Sequence, residues 1–103
     1  MKFERTPQFD ADLRRLTDEE FQLFRRVARD LFSPAADRIA TDPAARWPAG
    51  LRVKQVQGTR GILEMTWSLA GPDGRATFEL VTVGKELRIR WRRVGGHRVL
   101  RQP

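Results

Sequence analysis

Cysteine and tyrosine are absent from these 103 residues, and histidine occurs once, at His97. Without cysteine there is no disulfide framework, no thiolate metal site and no cysteine nucleophile. A lone histidine excludes a histidine-rich metal site within one chain. Chemistry with no metal and no cofactor is therefore the starting expectation. Long apolar runs are missing too: nothing approaches the roughly 18 consecutive apolar residues of a membrane span. The opening "MKFERTPQFD" lacks the apolar stretch of a signal peptide. Together these absences predict a cytoplasmic protein without a membrane partner.

What is present suits one globular domain over residues 1–103. Apolar residues at 40%, with three Trp and six Phe, supply bulky material for a core and argue against disorder. The net charge of +7 matters less than its placement. Residues 1–50 carry nine Lys or Arg against nine Asp or Glu, and residues 51–103 carry eleven against four. The whole excess thus lies in the second half, as in a surface that meets an anion. Seventeen of the twenty basic residues are arginine, whose planar fork grips phosphate through paired hydrogen bonds. An arginine-rich genome gives the same bias, so placement decides.

Hydrophobic spacing changes once along the chain. "KFERTPQF" reads as a short strand ending near Pro7, after which Phe9, Leu13 and Leu16 mark one face of a short helix. Thr17 and Glu20 form a capping box for a second helix, along which Phe21, Phe24, Val27, Ala28, Leu31 and Phe32 recur at steps of three and four. Ser33-Pro34 predicts a bend, or a cap for a short third helix through Ile39. "TDPAARWPAG" is a linker. From Leu51 the period is two: Leu51 and Val53; Leu63, Met65, Trp67 and Leu69; Ala76, Phe78 and Leu80; Leu87, Ile89 and Trp91. "GPDG" at 71–74 and "GKE" at 84–86 are turns. Short turns between successive strands imply antiparallel pairing. The expectation is an α+β domain, with a short first strand and a helical pair packed on an antiparallel sheet of four to five strands.

If the apolar sets cover the helices, the opposite face gathers Arg52, Lys54, Arg75, Arg88, Arg90 and Arg92 with only Glu64 and Glu79 among acids. Any one of these arginines is adequately explained as a solvated member of a cross-strand ion pair. The set is harder to explain that way, because six cations on one surface attract several phosphates at once. His97 follows "WRRVGG", and a bend at Gly95-Gly96 would turn His97 and Arg98 toward that face. A single histidine is ordinarily an unremarkable surface side chain; one facing arginines is a candidate for proton transfer. Trp67 and Trp91 lie in the apolar register of their strands and read as core, whereas Trp47 could be core or a base-stacking platform. Neither "GTRG" nor "VGKE" has the spacing of a phosphate-binding loop.

The succession "LRVKQVQG", "GILEMTW", "DGRATFELV" and "LRIRWRRVGGHRV", preceded by a strand and a helical pair, resembles the RelE/ParE superfamily of bacterial type II toxin–antitoxin systems over nearly the whole chain. RelE members cut mRNA at the ribosome without a metal, and ParE members inhibit DNA gyrase. The resemblance implies that Arg52 and Lys54 correspond to the family's basic strand. It also makes Glu64 the strand carboxylate, Arg75 a phosphate-binding arginine and His97 the acid/base residue, so that Glu64, Arg75 and His97 form the catalytic set. Arg52, Lys54, Arg88, Arg90, Arg92 and Arg98 then contact RNA. The implied partners are mRNA, the ribosome and a cognate helix-turn-helix antitoxin, with a toxin–antitoxin hetero-oligomer as the silent form. Translation inhibition by an mRNA endoribonuclease is the leading expectation. A gyrase inhibitor and a non-catalytic nucleic-acid-binding module are the alternatives, and neither needs an acid/base group among the arginines.

Overall fold

The computed structural model describes residues 1–68 and 74–103. Of the turn expected at 71–74 only Gly74 is among them, and Leu69 likewise lies outside the described residues. Strand β1 (Lys2–Arg5) leads into helix α1 (Pro7–Arg15), started by the Thr6 hydroxyl, which accepts the Phe9 N–H, with Pro7 at the first turn. Helix α2 (Asp18–Val27) opens on the expected capping box: the Thr17 hydroxyl accepts from the Glu20 N–H, and the Glu20 carboxylate accepts from the Thr17 N–H.

Of the two expectations at Ser33-Pro34, a bend or a cap for a short third helix, the third helix is present, but it has no side-chain cap because the preceding helix runs on into it. A widened π turn at Ala28–Phe32 connects α2 to helix α3 (Ser33–Thr41), and the Ser33 N–H donates to the Ala28 carbonyl five residues back. Pro34 has no N–H to offer and would crowd the carbonyl four residues earlier. The widened turn makes room for it without ending the helix.

The sheet has the order β1-β5-β4-β3-β2, formed by β2 (Lys54–Gln55), β3 (Ile62–Thr66), β4 (Arg75–Val83) and β5 (Glu86–Gly95). Consecutive strands from β2 to β5 pair antiparallel as expected, but β1 joins β5 in parallel, Lys2↔Arg88 through Arg5↔Trp91. The sheet is therefore mixed within an α+β fold. Strand β2 is also shorter than its alternation suggested. Ala49–Leu51 form a 3₁₀ turn and Arg52 takes a left-handed conformation (φ 50°), so the ladder begins only at Lys54.

The helices cover one face. Phe9, Phe24, Val27, Phe32 and Ala36 pack on Met65, Trp67, Ala76, Phe78, Ile89 and Trp91. Phe32, fully buried, is the hub: its ring lies 4.6 Å from Trp91, 4.9 Å from Phe78 and 4.9 Å from a stacked Trp47. Trp47 is thereby a packing residue. Gly74 is held to glycine by the indole of Trp67, whose ring atoms a Cβ would overlap. Among the described residues, no helix is long and apolar enough to cross a membrane.

Candidate functional site

On the face away from the helices, the strand registers set side chains in rows. Lys54, Glu64 and Thr77 are opposite one another across β2, β3 and β4, and Thr66, Arg75 and Gly95 form the next row across β3, β4 and β5. Solvent would ordinarily bathe this face, yet Glu64, Thr66, Arg75 and Thr77 are all buried. The cover comes from the end of the chain. After Gly96 a 3₁₀ turn (His97–Arg101) folds back over the sheet, pinned by Val99, which is buried, and by the Pro103 carbonyl, which accepts from the Thr77 hydroxyl (3.3 Å) and from Arg92 Nε (2.9 Å). Gly95 is needed for the close approach: a Cβ there would stand 3.0 Å from the Val99 side chain.

Between this turn and β2 lies a cleft of about 510 Å³, lined by Lys54, Gln55, Gln57, Glu64, Arg75 and His97. The three expected catalytic residues and Lys54 thus face one space. Glu64 and Arg75 are paired inside it (Oε1 to Nε 3.5 Å), with side chains almost wholly out of solvent. Two opposite charges buried together tolerate the loss of water that either alone would not. His97 is exposed and stands at the rim. One carboxylate, one imidazole and two cations around a cleft can move a proton and hold an anion at the same place.

The remaining expected contacts lie elsewhere. Arg88, Arg90 and Arg92 form a ladder with Glu4, Glu79 and Glu86: Arg88 reaches Glu86 (2.8 Å) and Glu4 (3.3 Å), Arg90 reaches Glu4 (3.1 Å) and Glu79 (3.2 Å), and Arg92 reaches Glu79 (3.2 Å). Glu4 and Glu86 were not counted on this face from sequence, and Glu4 arrives only through the parallel pairing of β1. The Arg90 hydrogen bond, and then that of Arg88, holds the Glu4 carboxyl below its ordinary range, and Arg88 does the same to Glu86. Arg52 sits in its left-handed turn before the ladder begins. Arg98, expected beside His97, lines a different pocket on the far side of the 3₁₀ turn.

A further pair had no counterpart in the sequence reading. Asp12 of α1 receives Arg93 at both carboxylate oxygens (2.6 and 3.2 Å) and also the Val94 N–H (3.1 Å). Arg93 reaches it because β5 carries a bulge: Phe78 pairs with Trp91 and Thr77 with Arg93, leaving Arg92 over. The same guanidinium donates to the Gln102 carbonyl (3.1 Å), so the pair fastens the chain's last turn to the first helix.

Compared with known proteins, the chain matches no family model, no curated protein and no solved structure. Among the described residues no group of three His, Asp or Glu side chains is placed to hold a metal ion.

Proposed function

We propose that this chain is an endoribonuclease that cleaves mRNA at the ribosome without a metal, acting as the toxin of a type II toxin–antitoxin pair. The observation that carries the reading is the cleft that gathers Lys54, Glu64, Arg75 and His97. In the proposed reaction an RNA 2′-OH attacks the adjacent phosphorus. A base takes the hydroxyl proton, the O2′–P bond forms, the P–O5′ bond breaks, and an acid protonates the departing O5′. The products are a 2′,3′-cyclic phosphate and a 5′-hydroxyl end. His97 is the proton-transfer group at the rim; Glu64 orients Arg75 and is the second candidate base. Arg75 and Lys54 stabilise the charge that gathers on the phosphorane oxygens.

A cognate antitoxin is part of the same proposal. A groove of about 360 Å³ lined by Phe3, Phe9, Phe21 and Phe24 and edged by Arg5, Arg25 and Arg29 suits an acidic amphipathic segment. The deciding experiment incubates purified chain with mRNA, with and without ribosomes, and maps the cut ends. Cyclic-phosphate ends are the expected result. Binding with no cleavage under either condition replaces the nuclease with a gyrase-inhibiting or purely nucleic-acid-binding protein.

A further inference from the structure

The 3₁₀ turn that carries His97 has three faces. A 3₁₀ helix repeats every three residues, so side chains at i and i+3 eclipse. His97 and Leu100 therefore share one face and line the cleft, Val99 points into the protein, and Arg98 and Arg101 share the third. That third face borders a separate pocket of about 450 Å³, whose other walls include Arg15 at the end of α1, Arg93, Asp12 and Glu20.

The charges in this pocket divide into two groups. Arg93 and Asp12 neutralise one another, and the Glu20 carboxylate is engaged at the α2 cap, where it accepts from the Thr17 N–H. Arg15, Arg98 and Arg101 are exposed, and no ion pair is formed by any of them among the described residues. This contrasts with Arg88, Arg90 and Arg92, whose guanidinium groups each hold a glutamate. Three uncommitted guanidinium groups from two separate elements converge on a concavity, and the nearby Gly96 presents no side chain, a Cβ there having nothing within 4 Å.

We propose that this pocket is a second anion site, which takes the backbone phosphate of a nucleotide flanking the one held in the cleft, so that a single RNA strand crosses the 3₁₀ turn between them. The inference rests on the nucleic-acid reading of the cleft and adds to it a direction for the strand's path and a set of contacts remote from the reacting bond. Arginine forks suit phosphate oxygens. Such contacts position a strand and carry no base preference.

The test measures binding of an uncleavable single-stranded 2′-O-methyl RNA oligonucleotide and of a dinucleotide over a series of salt concentrations. Arg98→Ala/Arg101→Ala removes two exposed side chains and is expected to leave the fold intact, which circular dichroism checks. It is expected to weaken the oligonucleotide and to flatten its log–log salt slope by about 1.4, at roughly 0.7 per lost contact on a single strand. Dinucleotide binding is expected to be unchanged. Lys54→Ala is expected to weaken both probes. An oligonucleotide slope unaltered in the double variant but reduced by Lys54→Ala overturns the second site and keeps the cleft. Failure of the wild-type chain to bind either probe overturns both. A poly-glutamate peptide that loses its binding in the double variant, while RNA binding stays as before, reassigns the pocket to an acidic protein partner.

Discussion

His97 reaches the cleft because of where three small or apolar residues fall around it. Gly95 lets the chain close onto the sheet, Gly96 starts the turn, and Val99 anchors it. Replacing the imidazole itself leaves these supports untouched. His97→Gln is therefore expected to keep the fold and RNA affinity while losing roughly 10²–10⁴-fold in cleavage rate, the usual worth of a positioned proton-transfer group. Single-turnover cleavage of mRNA measures it, and full activity in the variant removes His97 from the mechanism while sparing the cleft. The spacing of chemistry-bearing residues along the strands was enough to put Lys54, Glu64 and Arg75 on one face, through period-two alternation, while their roles were implied only by the family resemblance. Spacing was not enough to separate them from Arg88, Arg90 and Arg92. Those arginines obey the same alternation but meet carboxylates, one of which comes from the far end of the chain.

The capping box, which depends on local chemistry, was read correctly, and the pairing of β1 with a distant strand was not. The capping box at Thr17 and Glu20 is a contact within four residues. By contrast, the parallel union of β1 with β5 spans most of the chain and leaves no local mark. The bulge in β5 lies between these cases: Trp91 and Val94 are both core residues three apart in a strand of period two, and that mismatch requires one extra residue. Asp12, which was not singled out from sequence, carried a signal of the same kind: an acid at i+3 from Phe9 on the apolar stripe of α1, where burial demands a partner. Taking away that acceptor strands Arg93 and the Val94 N–H together. Asp12→Ala is expected to destabilise the protein by about 3 kcal/mol, as removal of one member of a largely buried ion pair does, and to lower cleavage as the last turn loosens. Urea unfolding measures the first effect. Asp12→Asn, which retains an oxygen for the Val94 N–H, is expected to fall between the two.

Across the whole molecule, the excess charge of the second half is partly answered by acids that the fold brings to it. Lys2 and Arg88 meet at Glu86, and Arg88 and Arg90 meet at Glu4. Both carboxyls are held below their ordinary value of 4.5, each first through an arginine hydrogen bond. A group whose folded pKa is depressed contributes stability above the unfolded pKa and loses it as pH falls through the folded one. The unfolding midpoint is therefore expected to be level near neutrality and to decline from about pH 4.5 downward. Glu4→Gln/Glu86→Gln is expected to lower the neutral plateau and flatten the acid limb, so that the two curves approach one another at low pH. Urea midpoints collected from about pH 3 to pH 7 decide it, and parallel curves would show that these pairs contribute nothing.

The position of β5 also fixes the order in which the protein can be completed as it is made. It is the last strand in chain order, yet it lies between β1 and β4, so the first strand emerges from the ribosome some eighty residues before its neighbour exists. Contacts of such long separation form late. Until then the aromatic faces of the helices have no finished sheet to cover. The turn bearing His97 follows β5 still later. A growing chain thus carries Lys54, Glu64 and Arg75 without the group that closes their cleft, and the proposed chemistry cannot be assembled until the residues that follow β5 have emerged.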